Sequence, residues 1–340
     1  MLLYQGSKIK WIPALAGMTS YSLFPRTVIP LQRILQPGQI ETLAQRSIPR
    51  IRLPKPSEVF LSRATRLREL AAGNTIGDYL RLMATLVEAQ HVELIERARM
   101  DANIPDAGQV ALAREHGMPL WQAAGRRRER SWRELLKQLC AIVAGAKGFP
   151  ASVVATCERI AHAPNDEIEM QADALLTSRH AEVDGATAPF VMAALQVCWV
   201  DVASRFAAND VKPLDIPGIC PICGTQPVAS IIRTEQPYQG YRFLHCALCA
   251  TEWHMVRATC SQCQAAKDLG YHSIEGGSEA VRAEACDTCH TYRKILYREK
   301  DAGVDPVADD LASVALDLLM SEAGYHRGSG NPLLWQNPES

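Results

Sequence analysis

The chain has almost no net charge: 36 Lys and Arg stand against 37 Asp and Glu in 340 residues. That balance excludes a global field able to gather nucleic acid or anionic lipid from a distance, although a local patch is compatible with it. No apolar run reads as a bilayer span either. The most apolar stretch, 188–206 (APFVMAALQVCWVDVASRF), is nearly long enough, but Gln196, Asp201 and Arg205 are costly in hydrocarbon. A core helix is expected there, and no membrane insertion. The sequence also lacks a glycine-rich phosphate loop, an HExxH pair and a recognisable nucleophile-and-base arrangement. These absences agree with a binding protein that is not an enzyme and has no small-molecule substrate.

With 47% apolar and 21% charged residues, the chain can bury a sizeable core divided among two or three domains. Its start, MLLYQGSKIKWIPALAGMTS, imitates a secretory signal. The apolar run is too short, however, and Pro13 breaks it. WIPALAGMT also resembles the translation of a common bacterial repeat element, so residues 1–32 are expected to be a disordered or spurious leader.

Cysteine is what the chain does have. Eight of eleven fall into four CxxC pairs: Cys220 and Cys223, Cys246 and Cys249, Cys260 and Cys263, Cys286 and Cys289. Cys140, Cys157 and Cys198 sit singly in helical patterns. The spacers between pairs are 22, 10 and 22 residues, an internal repeat with a period of 40. A thioredoxin-type centre needs one CxxC with one activated thiol, not four. A disulfide framework suits a short secreted chain, whereas these thiols occupy one part of a long one. Two knuckles joined by a short hairpin instead supply four soft sulfurs, the donor set that zinc or iron prefers.

The simplest pairing gives Cys220, Cys223, Cys246 and Cys249 one metal and Cys260, Cys263, Cys286 and Cys289 a second. A cross-braced pairing, first pair with third and second with fourth, fits the same spacing. The first spacer reads as two strands, 227–233 and 240–245, turning around Gln236 and Pro237. Neither module has enough apolar residues to fold without its ion. CPICG at the first knuckle has the form of rubredoxins and zinc ribbons, with a glycine free to take positive φ and aim backbone N–H groups at sulfur. Ala250, Gln264 and His290 occupy that place in the other three. The second site is therefore expected to differ in affinity or occupant. Zinc would be closed and structural; iron could change oxidation state. His245 and His254 flank the second knuckle and are read as surface groups or supports of the ligands.

The runs GICPICGTQPVASIIR, YRFLHCALCATEWHMVRATCSQC, ACDTCHTYRKILYREKD and PVADDLASVALDLLMSEAGYHRGSGNPLL resemble the C-terminal half of the FdhE family, formate dehydrogenase accessory proteins. RILQPGQIE, 33–41, and GDYLRLMATLVEAQ, 77–90, resemble its N-terminal part. The resemblance implies a helical domain followed by two rubredoxin-like modules whose eight cysteines are the ligands, with iron as the metal and zinc as the alternative. It also implies a cytoplasmic protein that binds the catalytic subunit of a respiratory formate dehydrogenase and assists its maturation.

Upstream of the cysteines the pattern is helical. Ser57 reads as an N-cap, with Phe60, Ala64, Leu67 and Leu70 at helical spacing until Gly73. Further helices are expected over 76–100, 106–116, 128–144, 151–162, 166–180 and 187–206, a bundle-like domain. VKPLDIPGIC is the linker into the modules. Arg126, Arg127, Arg128 and Arg130 form the strongest charge cluster, read as a solvated helix start that opposes the helix dipole, or as the contact for an acidic partner. No nucleic-acid partner is expected, and a zinc-ribbon nucleic-acid binder stands only as the third reading after an accessory factor and a redox protein: residues 220–300 carry nine Lys and Arg against eight Asp and Glu, too small an excess for a phosphate groove. A last helix is expected over 306–323, with Val307, Leu311, Val314, Ala315 and Leu318 as its apolar stripe and Leu316 and Met320 on the opposite side, read as isolated surface apolar residues or as a contact for a partner.

The fold class is thus α+β: a leader (1–32), a helical domain (33–210), two tandem rubredoxin-like, zinc-ribbon-like modules (211–256 and 257–303), and a C-terminal helix and tail (304–340).

Overall fold

A computed structural model describes residues 9–12, 49–96, 104–179 and 182–334. The expected leader lies outside these residues except for β1 (Ile9–Ile12), which pairs antiparallel with β6 (Leu269–Ile274).

The apolar periodicity upstream of the cysteines folds into α1 (Pro56–Ala71), α2 (Gly77–Glu96), α3 (Ala107–Glu115), α4 (Ser131–Gly145), α5 (Ala151–His162), α6 (Asn165–Leu176) and α7 (Ala188–Ser204). Ser57 is not the cap of α1. Pro56 takes the first helical position, where its fixed φ suits the helix and its missing N–H is no loss, and Lys55 caps it without a side-chain bond. Asp106 does cap α3, through a reciprocal box with Gln109. Fifteen of the seventeen residues of α7 are buried, which makes it the central core helix. The polar residues that argue against a membrane span have partners there. Gln196 donates to the Ala247 carbonyl at 2.7 Å and accepts from Gln90 at 3.0 Å, and Asp201 pairs with Arg205. Among the described residues no helix is long and apolar enough to cross a membrane.

The arginine cluster lies ahead of its helix, with only Arg130 at the N-cap. α4 begins at Ser131, and Arg128 turns back onto α6, meeting Glu169 at 2.6 Å and Asp173 at 2.7 Å with 4% of its side chain exposed. These carboxylates take the charge of Arg128, while Arg127 and Arg130 remain exposed ahead of the helix.

The cysteine-bearing half repeats its strands as it repeats its knuckles. The first module contributes β3 (Pro227–Ile232), β4 (Arg242–Cys246) and β5 (Glu252–Met255); the second contributes β6, β7 (Val281–Cys286) and β8 (Thr291–Tyr297). β3 and β4 form the expected hairpin, whose connection includes Gln236 and Pro237. The modules are not separate beads. A parallel pairing of β3 with β8 joins them into one sheet, ordered β1-β6-β7-β8-β3-β4-β5-β2, with β2 (Ile51–Arg52) on β5 and β9 (His326–Arg327) on β8.

The first module shares one continuous apolar core with the helices, running from Phe60 and Leu86 through Val197 to Ile222, Phe243 and Trp253. The second has its own small cluster of Val281, Ala283, Ala285, Tyr292, Leu316, Met320 and Tyr325. The last helix departs from expectation. It breaks at Ser313 into α8 (Ala308–Ala312) and α9 (Val314–Glu322). The break re-phases the apolar faces, so Leu316 and Met320 are buried, at 2% and 0% exposure, while Leu318 is 62% exposed.

Candidate metal centres

Each CxxC forms a tight turn closed by its own backbone. Cys220 N–H donates to the Thr225 carbonyl at 2.9 Å, and Gly224 N–H to the Cys220 carbonyl at 3.0 Å; Cys260 repeats this with Ala265 at 2.8 Å, and Gln264 with Cys260 at 3.0 Å. The residue after each pair takes positive φ in all four knuckles: Gly224 at 77°, Ala250 at 57°, Gln264 at 65° and His290 at 51°. The missing glycines therefore leave the turn intact, at a cost of about 1–2 kcal/mol where a Cβ must enter the left-handed region. Gly224 is also packed closely, since a Cβ there would lie 3.2 Å from Pro119.

The turns bring the eight sulfurs into two groups: Cys220, Cys223, Cys246 and Cys249, and separately Cys260, Cys263, Cys286 and Cys289, with all sulfurs of a group within 4.8 Å of one another. The grouping follows the repeat; the cross-braced alternative does not occur. Sγ separations are 3.5 Å (Cys220 to Cys249) and 3.3 Å (Cys223 to Cys246) in the first group, and 3.8 Å (Cys260 to Cys289) and 3.7 Å (Cys263 to Cys286) in the second. A tetrahedron with metal–sulfur bonds of about 2.3 Å requires roughly 3.8 Å between sulfurs. The donors fit zinc or iron, the first group after a few tenths of an ångström of expansion.

The two groups differ in surroundings. All four sulfur-bearing residues of the first are buried; in the second Cys263 is exposed and Cys289 half-buried. Thr225 Oγ1 lies 3.0 Å from Cys223 Sγ and 3.1 Å from Cys246 Sγ, whereas Ala265 stands at the equivalent place in the repeat. Burial pushes the Cys220 and Cys249 thiols well above the usual range. Burial also opposes ionisation of Cys246, yet contacts with the other three sulfurs and Thr225 hold its thiol well below it. Burial raises Cys260 to about 12.

Neither flanking histidine belongs to a sulfur group. His245 is not a surface residue: it is 5% exposed, with Nδ1 3.0 Å from Glu252 and Nε2 3.4 Å from Arg63. It sits there beside Glu252, whose carboxylate also meets Arg233 at 3.0 Å and Arg52 at 2.5 Å. Burial alone would raise the Glu252 carboxyl, but Arg233, then His245 and Arg52, hold it well below the usual carboxylate range. Arg63 passes the network to Asp305 at 3.1 Å, tying α1 to the first module and the C-terminal segment. His254 lies edge-on to Tyr241 and Phe243.

One support has no counterpart in the sequence reading. The segment before the arginine cluster lies along the first knuckle: the N–H groups of Leu120, Trp121 and Ala123 donate to the carbonyls of Pro221, Ile222 and Cys223 at 3.0, 2.7 and 2.9 Å. Backbone bonding of this kind leaves no residue pattern to detect. Arg293, fully enclosed beneath the second knuckle, donates to Ser261 at 2.9 Å; burial, then Arg242 and Arg327, lower its guanidinium to about 10.

A helical domain sharing its core with one half of a duplicated four-cysteine sheet defines a two-site cysteine-cluster protein of the rubredoxin-like kind. The chain belongs to the FdhE family, matching the FdhE N-terminal domain over residues 48–215, the central domain over 219–257 and the C-terminal domain over 258–334. It is 39% identical over 300 residues to the Protein FdhE homolog of Klebsiella pneumoniae, covering 88% of this chain and 95% of that protein. Protein FdhE of Salmonella paratyphi A is 40% identical over 300 residues, with the same coverage of 88% and 95%. The crystal structure of the FdhE protein from Pseudomonas aeruginosa is similar at a TM-score of 0.72 and 35% identity, covering 84% of this chain and 98% of that one.

Proposed function

We propose that the chain is a non-catalytic accessory factor that binds the catalytic subunit of a respiratory formate dehydrogenase in the cytoplasm and assists its maturation. Cys220, Cys223, Cys246 and Cys249 hold one metal and Cys260, Cys263, Cys286 and Cys289 a second. Iron is the assigned metal and zinc the alternative. The observation that carries the reading is the convergence of eight reduced sulfurs into two four-sulfur groups within a chain of this family. Embedding the first group in the core of the helical domain supports a scaffold whose partner-facing shape depends on the metal. Arg126, Arg127, Arg128 and Arg130 are assigned to the partner contact, with Arg127 and Arg130 exposed for it and Arg128 supporting from beneath.

The test is retention of the catalytic subunit by this protein and by the Cys220→Ser, Cys223→Ser variant, each purified without oxygen. The parent is expected to retain the subunit and the variant to lose it; equal recovery overturns the role of the first site.

A second reading, a redox protein acting on that subunit, is favoured by the exposure of Cys263, which brings one ligand of the second site to solvent. Iron held by four thiolates can exchange one electron, and zinc cannot. A visible absorbance that bleaches and returns reversibly on reduction and reoxidation supports it; zinc in both sites removes it.

A further inference from the structure

Five basic residues are buried among the described residues: Arg63, Arg233, Arg242, Arg293 and Lys294. Four of them meet a carboxylate, Arg63 with Asp305 at 3.1 Å, Arg233 with Glu252 at 3.0 Å, Arg242 with Glu284 at 2.7 Å and Lys294 with Asp317 at 2.7 Å. Arg293, 4% exposed, has no carboxylate within ion-pair reach among the described residues. Its acceptors are all neutral: Nε donates to Ser261 Oγ at 2.9 Å, and Nη1 to Ser329 Oγ at 2.6 Å and to the Pro227 carbonyl. Nη2 has no acceptor and faces Gly328, where a Cβ would stand 2.9 Å from it.

A cation taken out of water without a countercharge is strongly destabilising, so a buried one calls for negative charge nearby. Burial opposes the charge of Arg293, and Arg242 and Arg327 add repulsion while their own charges are met by Glu284, Asp310 and Asp317. The bond to Ser261 shows where the complement lies. Ser261 stands between Cys260 and Cys263 in the second knuckle, and Cys260 is the first negative group, ahead of Glu284, whose charge bears on Arg293. Four thiolates around a divalent ion carry an excess of roughly two negative charges, and Cys260 and Cys286 hold their part of it in the buried side of the site. With Nη2 closed to solvent, an anion from outside does not reach it. The first site is built differently. Forty residues earlier Trp253 stands where Arg293 does, giving its N–H to the Pro217 carbonyl at 2.7 Å, and Thr225 lies against the sulfurs where the second site has Ala265.

We propose that Arg293 is the internal countercharge of the second metal site, strengthening the hold of those four thiolates on a divalent ion, a role with no counterpart at the first site. Arg293 is a positioning residue and not a ligand: it acts through its field beneath the knuckle, and Ser261 fixes its place there. The proposal rests on the reading that Cys260, Cys263, Cys286 and Cys289 hold a metal.

The full chain, loaded with zinc in both sites, is titrated with a chromophoric chelator, and the freed thiols are alkylated and mapped by peptide mass to tell the sites apart. Arg293→Gln and Arg293→Met are expected to lower zinc affinity at the second site by roughly tenfold or more, the effect of one enclosed charge on a doubly charged centre, and to leave the first site unchanged. Arg293→Lys keeps the charge and should recover most of the loss. Ser261→Ala removes the bond but not the charge, and should leave the affinity near the parent's. If Arg293→Met does not fold, Arg293→Gln against Arg293→Lys decides. A redox titration of the chain loaded with iron supplies a readout that packing alone does not move. There Arg293→Gln should favour the ferric form of one site by roughly tenfold, lowering one of the two potentials by about 59 mV and leaving the other in place, because the ferrous site carries the larger negative charge. Unchanged zinc affinity in Arg293→Gln, an equal loss in Arg293→Lys, equal losses at both sites, or two unmoved potentials overturns the proposal. If the parent binds two zinc ions and the variants match it, the countercharge falls and the metal reading stands; if the parent holds no zinc at the second site, that reading falls and takes this proposal with it.

Discussion

Arg242 on β4 meets Glu284 on β7 at 2.7 Å, with side chains 0% and 3% exposed, so an ion pair closed to solvent joins the two cysteine modules. Arg242 spends its other donors on Ser230, at 3.1 and 3.0 Å, and on the Thr259 carbonyl at 3.1 Å. Removing one member strands the other in the sheet. Glu284→Ala is expected to cost about 3–5 kcal/mol in urea unfolding, and the paired Arg242→Met, Glu284→Leu variant much less. Equal losses from the single and double variants would show that the pair does not couple the modules.

Exposure orders the two metal sites. A chelator reaches the second site through Cys263, whereas the first must open a core shared with the helices. Native mass spectrometry during chelation should show a one-metal species that has lost its second-site ion. Release there should be faster by roughly tenfold or more, a gap that only about 1.4 kcal/mol of opening free energy produces. Simultaneous loss of both ions would contradict this order.

Gln264 holds φ at 65° in the place where the first knuckle has glycine, and its side chain is exposed. Gln264→Gly relieves a left-handed Cβ without opening a cavity. It should stabilise the protein by about 1 kcal/mol in thermal unfolding and slow metal release from the second site. A lower melting temperature would count against a strained knuckle.

The break at Ser313 predicts opposite fates for two leucines on one helix. Leu316→Ala should cost about 2–5 kcal/mol, since Leu316 fills the small core of the second module. Leu318→Ala should change stability by less than about 0.5 kcal/mol. An unbroken helix with Leu318 inward would reverse the two results.

Burial, with Arg50 adding repulsion, lowers His254 below its usual 6.5. As pH falls through 6.5 the unfolded chain takes up this proton before the native state does, so stability declines on acidification from that point. His254→Phe keeps the edge-on contacts with Tyr241 and Phe243 and should flatten the decline below pH 6.5. Parallel pH profiles of parent and variant would exclude His254 as the source.

The four CxxC pairs, their 40-residue repeat and most of the helices were legible in the sequence, because CxxC turns and apolar periodicity are local. The choice of sequential pairing over cross-bracing, the parallel joint of β3 with β8, the merging of the first module with the helical core and the re-phasing at Ser313 were decided only by the tertiary structure. Arg128 shows why. The run of arginines reads as one patch of charge, but Glu169 and Asp173, some forty residues away in the chain, set which arginine is buried, and long-range pairing of that kind leaves no spacing to read.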